Sequence, residues 1–182
     1  MDKCNPVVTP SEVSARFNDA NEDGPQENCP YRELIGALMY LSMATRPDIA
    51  NTVSRLAQFT NKPRKYHWLA AKRVLKYLAG TAEIGLVYTK TDEPLVGYAD
   101  ADWGGCTVDR RSYTGYAFLL SGAAITWKSQ KQLTVALSST EAEYVSLAEA
   151  AKEAIYLYNM LREVCMIGPK LRFSWIIGGL SV

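Results

Sequence analysis

Gly97-Tyr98-Ala99-Asp100-Ala101-Asp102-Trp103-Gly104-Gly105 is the stretch on which the fold turns. Leu95 and Val96 lead into it as the start of a β-strand, and Asp100 and Asp102, two residues apart, fall on one face of that strand. Aspartate suits a strand interior poorly, by propensity and by the cost of desolvating its charge. On a core face, two adjacent like charges would cost on the order of several kcal/mol unless a cation joined them. Two readings follow. Either the acids are metal ligands near a strand end, or the strand stops at Ala99 and both acids face water in a turn.

Working outward toward the C-terminus, period-two patterning predicts strands over Leu95–Asp102, Ser112–Ser121 and Ala123–Ser129, with Ser121-Gly122 as a tight hairpin link. A short strand over Ile84–Thr89 precedes them, followed by the turn Lys90-Thr91-Asp92-Glu93-Pro94. From Ser138 the period becomes helical, with Tyr144, Leu147, Ala148, Ala151, Ile155, Tyr158 and Leu161 as the apolar face. Ser138 and Glu141 have capping-box spacing, which accounts for Glu141. Glu143 is harder to dismiss, because it shares a face with Leu147 and Ala150, close to the stripe that must pack on the sheet. A Glu on the first turn of a sheet-packed helix, beside an Asp on the central strand, could pair for a divalent cation. All-oxygen ligands favour magnesium or manganese over zinc.

Toward the N-terminus the chain is helical. Tyr31, Leu34, Ile35, Leu38 and Leu41 form an apolar stripe that stops near Thr45-Arg46-Pro47. Pro47 opens a second helix with Ile49, Val53 and Leu56 inward. After Asn61-Lys62-Pro63, a third turns Trp68, Ala71, Leu75 and Leu78 inward, with Gly80 as its C-terminal cap. Residues 1–30 lack periodicity and read as an extended linker. The expected organisation is thus a linker at 1–30, a helical segment at 31–82, an α+β domain at 83–165 and a distinct tail at 166–182. Between Asn51 and Ala82 lie seven Lys or Arg and no acid: Arg55, Lys62, Arg64, Lys65, Lys72, Arg73 and Lys76. They fall mostly off the apolar stripes, so they form either a solvated face or a phosphate-contacting one.

Composition narrows the function classes. The 182 residues, 48% hydrophobic and 21% charged with a net charge of +1, suit a globular protein. Four scattered cysteines and a single histidine, His67, argue against a zinc site and against chemistry that needs an oriented histidine. Isolated cysteines suit a reducing compartment, so the expected location is intracellular, cytoplasmic or nuclear, and not secreted. No signal-peptide segment or membrane-length apolar run is present.

Four blocks together resemble the ribonuclease H domain of copia-type retrotransposons: Tyr98 to Gly105, Arg111 to Tyr116, Trp127 to Gln132 and Ala136 to Tyr144. Upstream, Tyr31 to Gly36, Thr45 to Ile49 and Leu75 to Thr81, with Cys4-Asn5-Pro6-Val7, resemble the stretch that joins reverse transcriptase to that domain. The resemblance runs in order over roughly residues 4–165. It implies an α+β, ribonuclease H-like core acting on the RNA of an RNA–DNA hybrid with magnesium (or manganese). Asp100 and Glu143 are its catalytic metal ligands, Asp102 stands nearby as a lesser one, and the remainder of the polyprotein is a partner. It also implies a third carboxylate, in an Asp-Asn-Gln block on the strand after the helix, and a fourth further on. After Glu163 the sequence has no Asp or Glu, and from about Met166 it no longer resembles the family. The expectation is therefore a truncated domain lacking its fourth and fifth strands, with catalysis reduced on the order of 10³-fold or more by loss of a metal clamp. The alternative is a non-catalytic nucleic-acid-binding remnant.

Overall fold

The computed structural model describes residues 4–12, 29–106, 108–165, 171–177 and 180–181. Most of the expected linker (13–28) and the start of the tail (166–170) lie outside the described residues. The chain divides into two compact units, Met1–Gly85 and Leu86–Val182.

The first unit holds three helices: α1 (Tyr31–Ala44), α2 (Ala50–Ala57), entered through a 3-10 turn at Pro47–Ile49, and α3 (Lys65–Gly80). Its core is Tyr31, Ile35, Leu38, Ile49, Val53, Leu56, Ala71 and Val74. The buried row of α1 runs Tyr31, Ile35, Leu38, Ser42, so Leu41, expected inward, is 36% exposed. Ser42 is tolerated there because its hydroxyl donates to the Met39 carbonyl at 2.8 Å. The Tyr31 hydroxyl donates to the Leu56 carbonyl at 2.9 Å, and burial, then the nearby Cys29, pushes the phenol pKa up.

Arg46-Pro47-Asp48 is a structural lock. The Arg46 guanidinium holds Asp48 at 2.7 Å and donates to the Thr81 carbonyl at 3.1 Å and the Thr81 hydroxyl at 2.6 Å. The Tyr77 hydroxyl donates to Asp48 Oδ2 at 2.7 Å. Thr81, not Gly80, is the α3 cap. Gly80 instead admits Pro6, whose Cβ would lie 2.7 Å from a β-carbon placed there.

The second unit contains β1 (Leu95–Asp102), β2 (Tyr113–Leu120), β3 (Ala123–Lys131), α4 (Ser139–Cys165), β4 (Leu171–Ile177) and β5 (Leu180–Ser181). The first three strands form the expected antiparallel meander. Its tight link places Ser121 at φ 55° and Gly122 at φ 82°, the doubly positive pair that a two-residue hairpin of native twist requires. Leu95 and Ala99 of β1 pack with Phe118 of β2 and with Ala150, Ala154 and Leu157 of α4.

Three expectations fail in this unit. The face that α4 turns to the sheet is Ala150, Ala154 and Leu157, whereas Tyr144 and Ile155, expected on its apolar face, are 72% and 63% exposed. Ile84–Thr89 is not a strand; its attachments to the hairpin are the Thr89 N–H donating to the Ser121 carbonyl at 2.9 Å and the Tyr88 hydroxyl donating to the Ala124 carbonyl at 2.7 Å. A single backbone bond makes no ladder. The sheet also does not end at three strands. Its order is β3-β2-β1-β4-β5, and β4 pairs in parallel with β1 from Leu95↔Leu171 to Ala99↔Trp175. α4 supplies the crossover that a parallel pair needs.

Candidate functional site

Burial alternates along β1. Leu95, Gly97 and Ala99 are buried, while Tyr98, Asp100 and Asp102 are exposed. Both acids belong to the strand, which removes the reading that it stops at Ala99, and their shared face is the solvent face. The core face, with Leu95 and Ala99, carries α4. The helix meets β1 at Asp100 itself, where the buried Ser146 hydroxyl donates to the Asp100 carbonyl at 2.6 Å and lies 3.2 Å from the Gly115 carbonyl. Glu143, half-buried, stands one turn nearer the helix N-terminus.

The surrounding acids are engaged. Asp109 pairs with Lys131 at 2.9 Å and with Arg111 at 3.6 Å. Glu149 pairs with Lys152 at 2.8 Å and with Lys128 at 3.7 Å. Thr126 donates to Glu153 at 2.9 Å. The Glu141 N–H donates to the Ser138 hydroxyl at 3.1 Å, as in a capping box, but its carboxylate accepts from the Leu137 N–H at 2.7 Å, one residue earlier than the motif expects. By contrast, no ion pair or side-chain hydrogen bond among the described residues engages Asp100 or Glu143.

Asp102 is placed differently from Asp100. Its carboxylate folds onto the turn that ends β1, so a β-carbon at Gly105 would overlap Asp102 Oδ2, and the Gly105 N–H donates to the Asp102 carbonyl at 3.3 Å.

Several polar residues that sequence reasoning passes over hold this region in place. Gln132 is buried; its amide donates to the Thr114 hydroxyl at 3.0 Å and to the Ala142 carbonyl at 2.8 Å, tying β2 to the first turn of α4. Trp103 donates to the Ala136 carbonyl at 3.2 Å. Their signal in the sequence is that Gln132 and Trp103 both lie in family-like blocks. The Asp109 carboxyl shows the cost and gain of such placement. Burial opposes its ionisation, but hydrogen bonds from Cys106, Lys131 and the Arg111 backbone, with the Lys131 charge, outweigh that and hold its pKa at about 2.

Two magnesium ions sharing one phosphate need several fixed carboxylates between them. Among the described residues, no group of three or more His, Cys, Asp or Glu could hold a metal ion. The sequence of β4, Leu-Arg-Phe-Ser-Trp-Ile-Ile, adds no acid. The described residues do not fit a two-metal centre.

The seven basic residues of the Asn51–Ala82 stretch all lie in the first unit. Lys62 and Lys65 are exposed, and Arg55, Arg64, Lys72, Arg73 and Lys76 are half-buried. Lys72 sits over the Trp68 ring, 4.8 Å from its centroid. Arg73 is engaged by the N-terminal segment, pairing with Glu12 at 3.3 Å and donating to the Thr9 hydroxyl at 3.2 Å. His67 is structural. Its Nδ1 accepts from the Arg64 N–H at 3.1 Å, and its ring stacks on Phe59 at 3.9 Å.

Comparison with known proteins places the chain. A retrovirus-related Pol polyprotein from transposon TNT 1-94 of Nicotiana tabacum is 41% identical over 170 residues, which is 90% of this chain and 13% of that polyprotein. The corresponding polyprotein from transposon RE2 of Arabidopsis thaliana is 41% identical over 160 residues, 87% of this chain and 11% of that one. The chain belongs to the copia-type retrotransposon Pol polyproteins. It is a fragment of one, spanning about an eighth of the length of the tobacco polyprotein. A shorter relative of this copia-type chain, named secreted RxLR effector protein 161 of Plasmopara viticola, is 52% identical over 132 residues, 72% of this chain and 93% of that protein. No protein-family model matches the copia-type fragment, and no solved structure matches it. No helix among its described residues is long and apolar enough to cross a membrane.

Proposed function

We propose that the second unit is a ribonuclease H-like domain, descended from an enzyme that cuts the RNA of RNA–DNA hybrids, and that this chain binds such duplexes without cleaving them. Asp100 on β1 and Glu143 on α4 are engaged by no described side chain, but Asp100 points to the solvent face of β1, opposite the face that α4 covers. The observation that carries the reading is the element order, in which a meander and long helix are followed by a strand parallel to the first. That strand is where the family resemblance calls for a third acid, and its seven residues hold none. Magnesium or manganese would therefore find two carboxylates instead of a full ligand set, too few for an ion that holds its geometry strictly. The rest of the Pol polyprotein is the partner that the descent implies, and a cytoplasmic or nuclear location belongs to the same reading, supported by Cys4, Cys29 and Cys106 lying outside any disulfide.

The test is cleavage of a labelled RNA–DNA hybrid in magnesium. The purified chain should release no product above a protein-free control. Replacing residues 166–182 with a family-like segment containing an Asp-Asn-Gln block should restore cleavage, and Asp100→Asn in that repaired chain should remove it again. Cleavage by the unrepaired chain that disappears with Asp100→Asn would overturn the proposal. Binding is tested apart from chemistry. Neutralising Lys72, Arg73 and Lys76 together should weaken hybrid binding and flatten its log–log salt dependence by up to about three units, near one for each phosphate no longer neutralised. An unchanged slope would return them to a solvated face.

A further inference from the structure

The N-terminal segment runs beside α3 and encloses, with it, a cleft of about 340 Å³, within the volume range of small-molecule sites. Pro10, Tyr66 and Leu69 give it an apolar and aromatic wall, and Lys72, Arg73 and Lys76 supply cations. Glu12, also lining it, is the acid set against these cations. Its carboxylate stands on the Arg73 guanidinium at 3.3 Å, with its own side chain 64% exposed, and is easily displaced. Among the described residues, Arg73 Nε is buried without a hydrogen-bond partner, while the terminal nitrogens hold Glu12 and Thr9. Tyr66 and Leu69 are 42% and 53% exposed.

Resting on the nucleic-acid reading above, we propose that this cleft receives an unpaired nucleotide, its phosphate replacing Glu12 on Arg73 and its base lying against Tyr66 and Leu69. The chemistry favours that occupant. A guanidinium recognises phosphate through paired donors, and an aromatic ring beside a cationic groove is the usual platform for a single-stranded base. A duplex keeps its bases stacked and paired, and offers no free base face to so small a cleft. An acidic peptide would use the cations but leave the aromatic wall unused. Glu12 then competes with the incoming phosphate.

The test compares a labelled single-stranded oligo-dT of about fifteen nucleotides with a blunt RNA–DNA hybrid, by fluorescence anisotropy on the full chain. Tyr66→Ala should weaken oligo-dT binding about tenfold, Tyr66→Phe should restore it, and Glu12→Gln should tighten it severalfold. Hybrid affinity should not respond to Tyr66, which also serves as the check that the variant is folded. Oligo-dT affinity that ignores Tyr66, or that falls with Glu12→Gln, overturns the proposal. If the hybrid binds and the single strand does not, the cleft assignment falls and the hybrid reading stands. Tyr66-dependent single-strand binding without hybrid binding upholds the cleft and removes the hybrid reading, and binding of neither sinks both.

Discussion

The two units each carry a conspicuous charged motif, and they use it in opposite ways. In the helical unit, Arg46 and Asp48 are bound to each other and to Tyr77 and Thr81, so the motif closes the end of α3 and leaves nothing over for a ligand. In the sheet unit, Asp100 and Glu143 bond to no neighbouring side chain among the described residues. Charge bound into structure should show in stability, and charge held in reserve only in binding or chemistry. The difference is between residues with similar sequence prominence, and it emerges only from their partners.

The largest stability effect should come from the sheet core that carries the free acids. A β-carbon at Gly97 would lie 2.5 Å from the Phe118 ring, whose side chain is fully buried. Gly97→Ala should therefore destabilise the second unit by about 3 kcal/mol, read as a shift in the urea midpoint. A change under about 1 kcal/mol would mean that the ring can retreat and that the strand is held more loosely than this packing implies.

Next comes the helical lock. Arg46→Ala leaves Asp48 without its cation and Thr81 without its donors, and should cost about 2 kcal/mol. A neutral result would erase the contrast between the two motifs.

A smaller effect should follow acid titration. The Asp109 pKa lies near 2, below its ordinary 3.8. A carboxylate depressed in this way lends stability above its unfolded value and loses it as pH falls through the folded one. Stability should thus drop between about pH 4 and pH 2, by about 1 kcal/mol given its partial exposure. Asp109→Asn should remove that part of the acid transition, and an unaltered profile would show that the Lys131 pair contributes nothing. Smallest of all, Asp100→Asn and Glu143→Gln should each change stability by less than about 0.5 kcal/mol. A larger loss in either would show that the acid is part of the scaffold after all.

Much of the fold is legible in the sequence because it rests on local periodicity. The stripe through Tyr31, Ile35 and Leu38 and the alternation in Leu95–Asp102 name their buried faces directly. The errors lie where a long-range partner decides. Ile84–Thr89 has strand-like residues but reaches the hairpin through a single backbone bond. Leu171–Ile177 lacks the acid that the family resemblance expects, yet Leu171, Phe173 and Trp175 alternate with Arg172 and Ser174 as a strand should. What a segment lacks for chemistry says little about what it has for folding. At the site, Asp100 and Glu143 are legible as residue types in a suitable pattern. The burial of Gln132 and the capture of Arg73 by Glu12 are not, since both depend on elements far apart in sequence.

The parallel pairing of β1 with β4 also sets an order of events. Leu95 meets Leu171 across 76 positions, with the whole of α4 between them. Such a closure carries a large loop entropy before any contact rewards it. During synthesis the central strand is made early and completed late, and one of its edges stays open while the helix forms. Until the pair closes, that edge is a template for any other extended chain nearby. The step that finishes the sheet is therefore also the one that ends the nascent chain's exposure to aggregation.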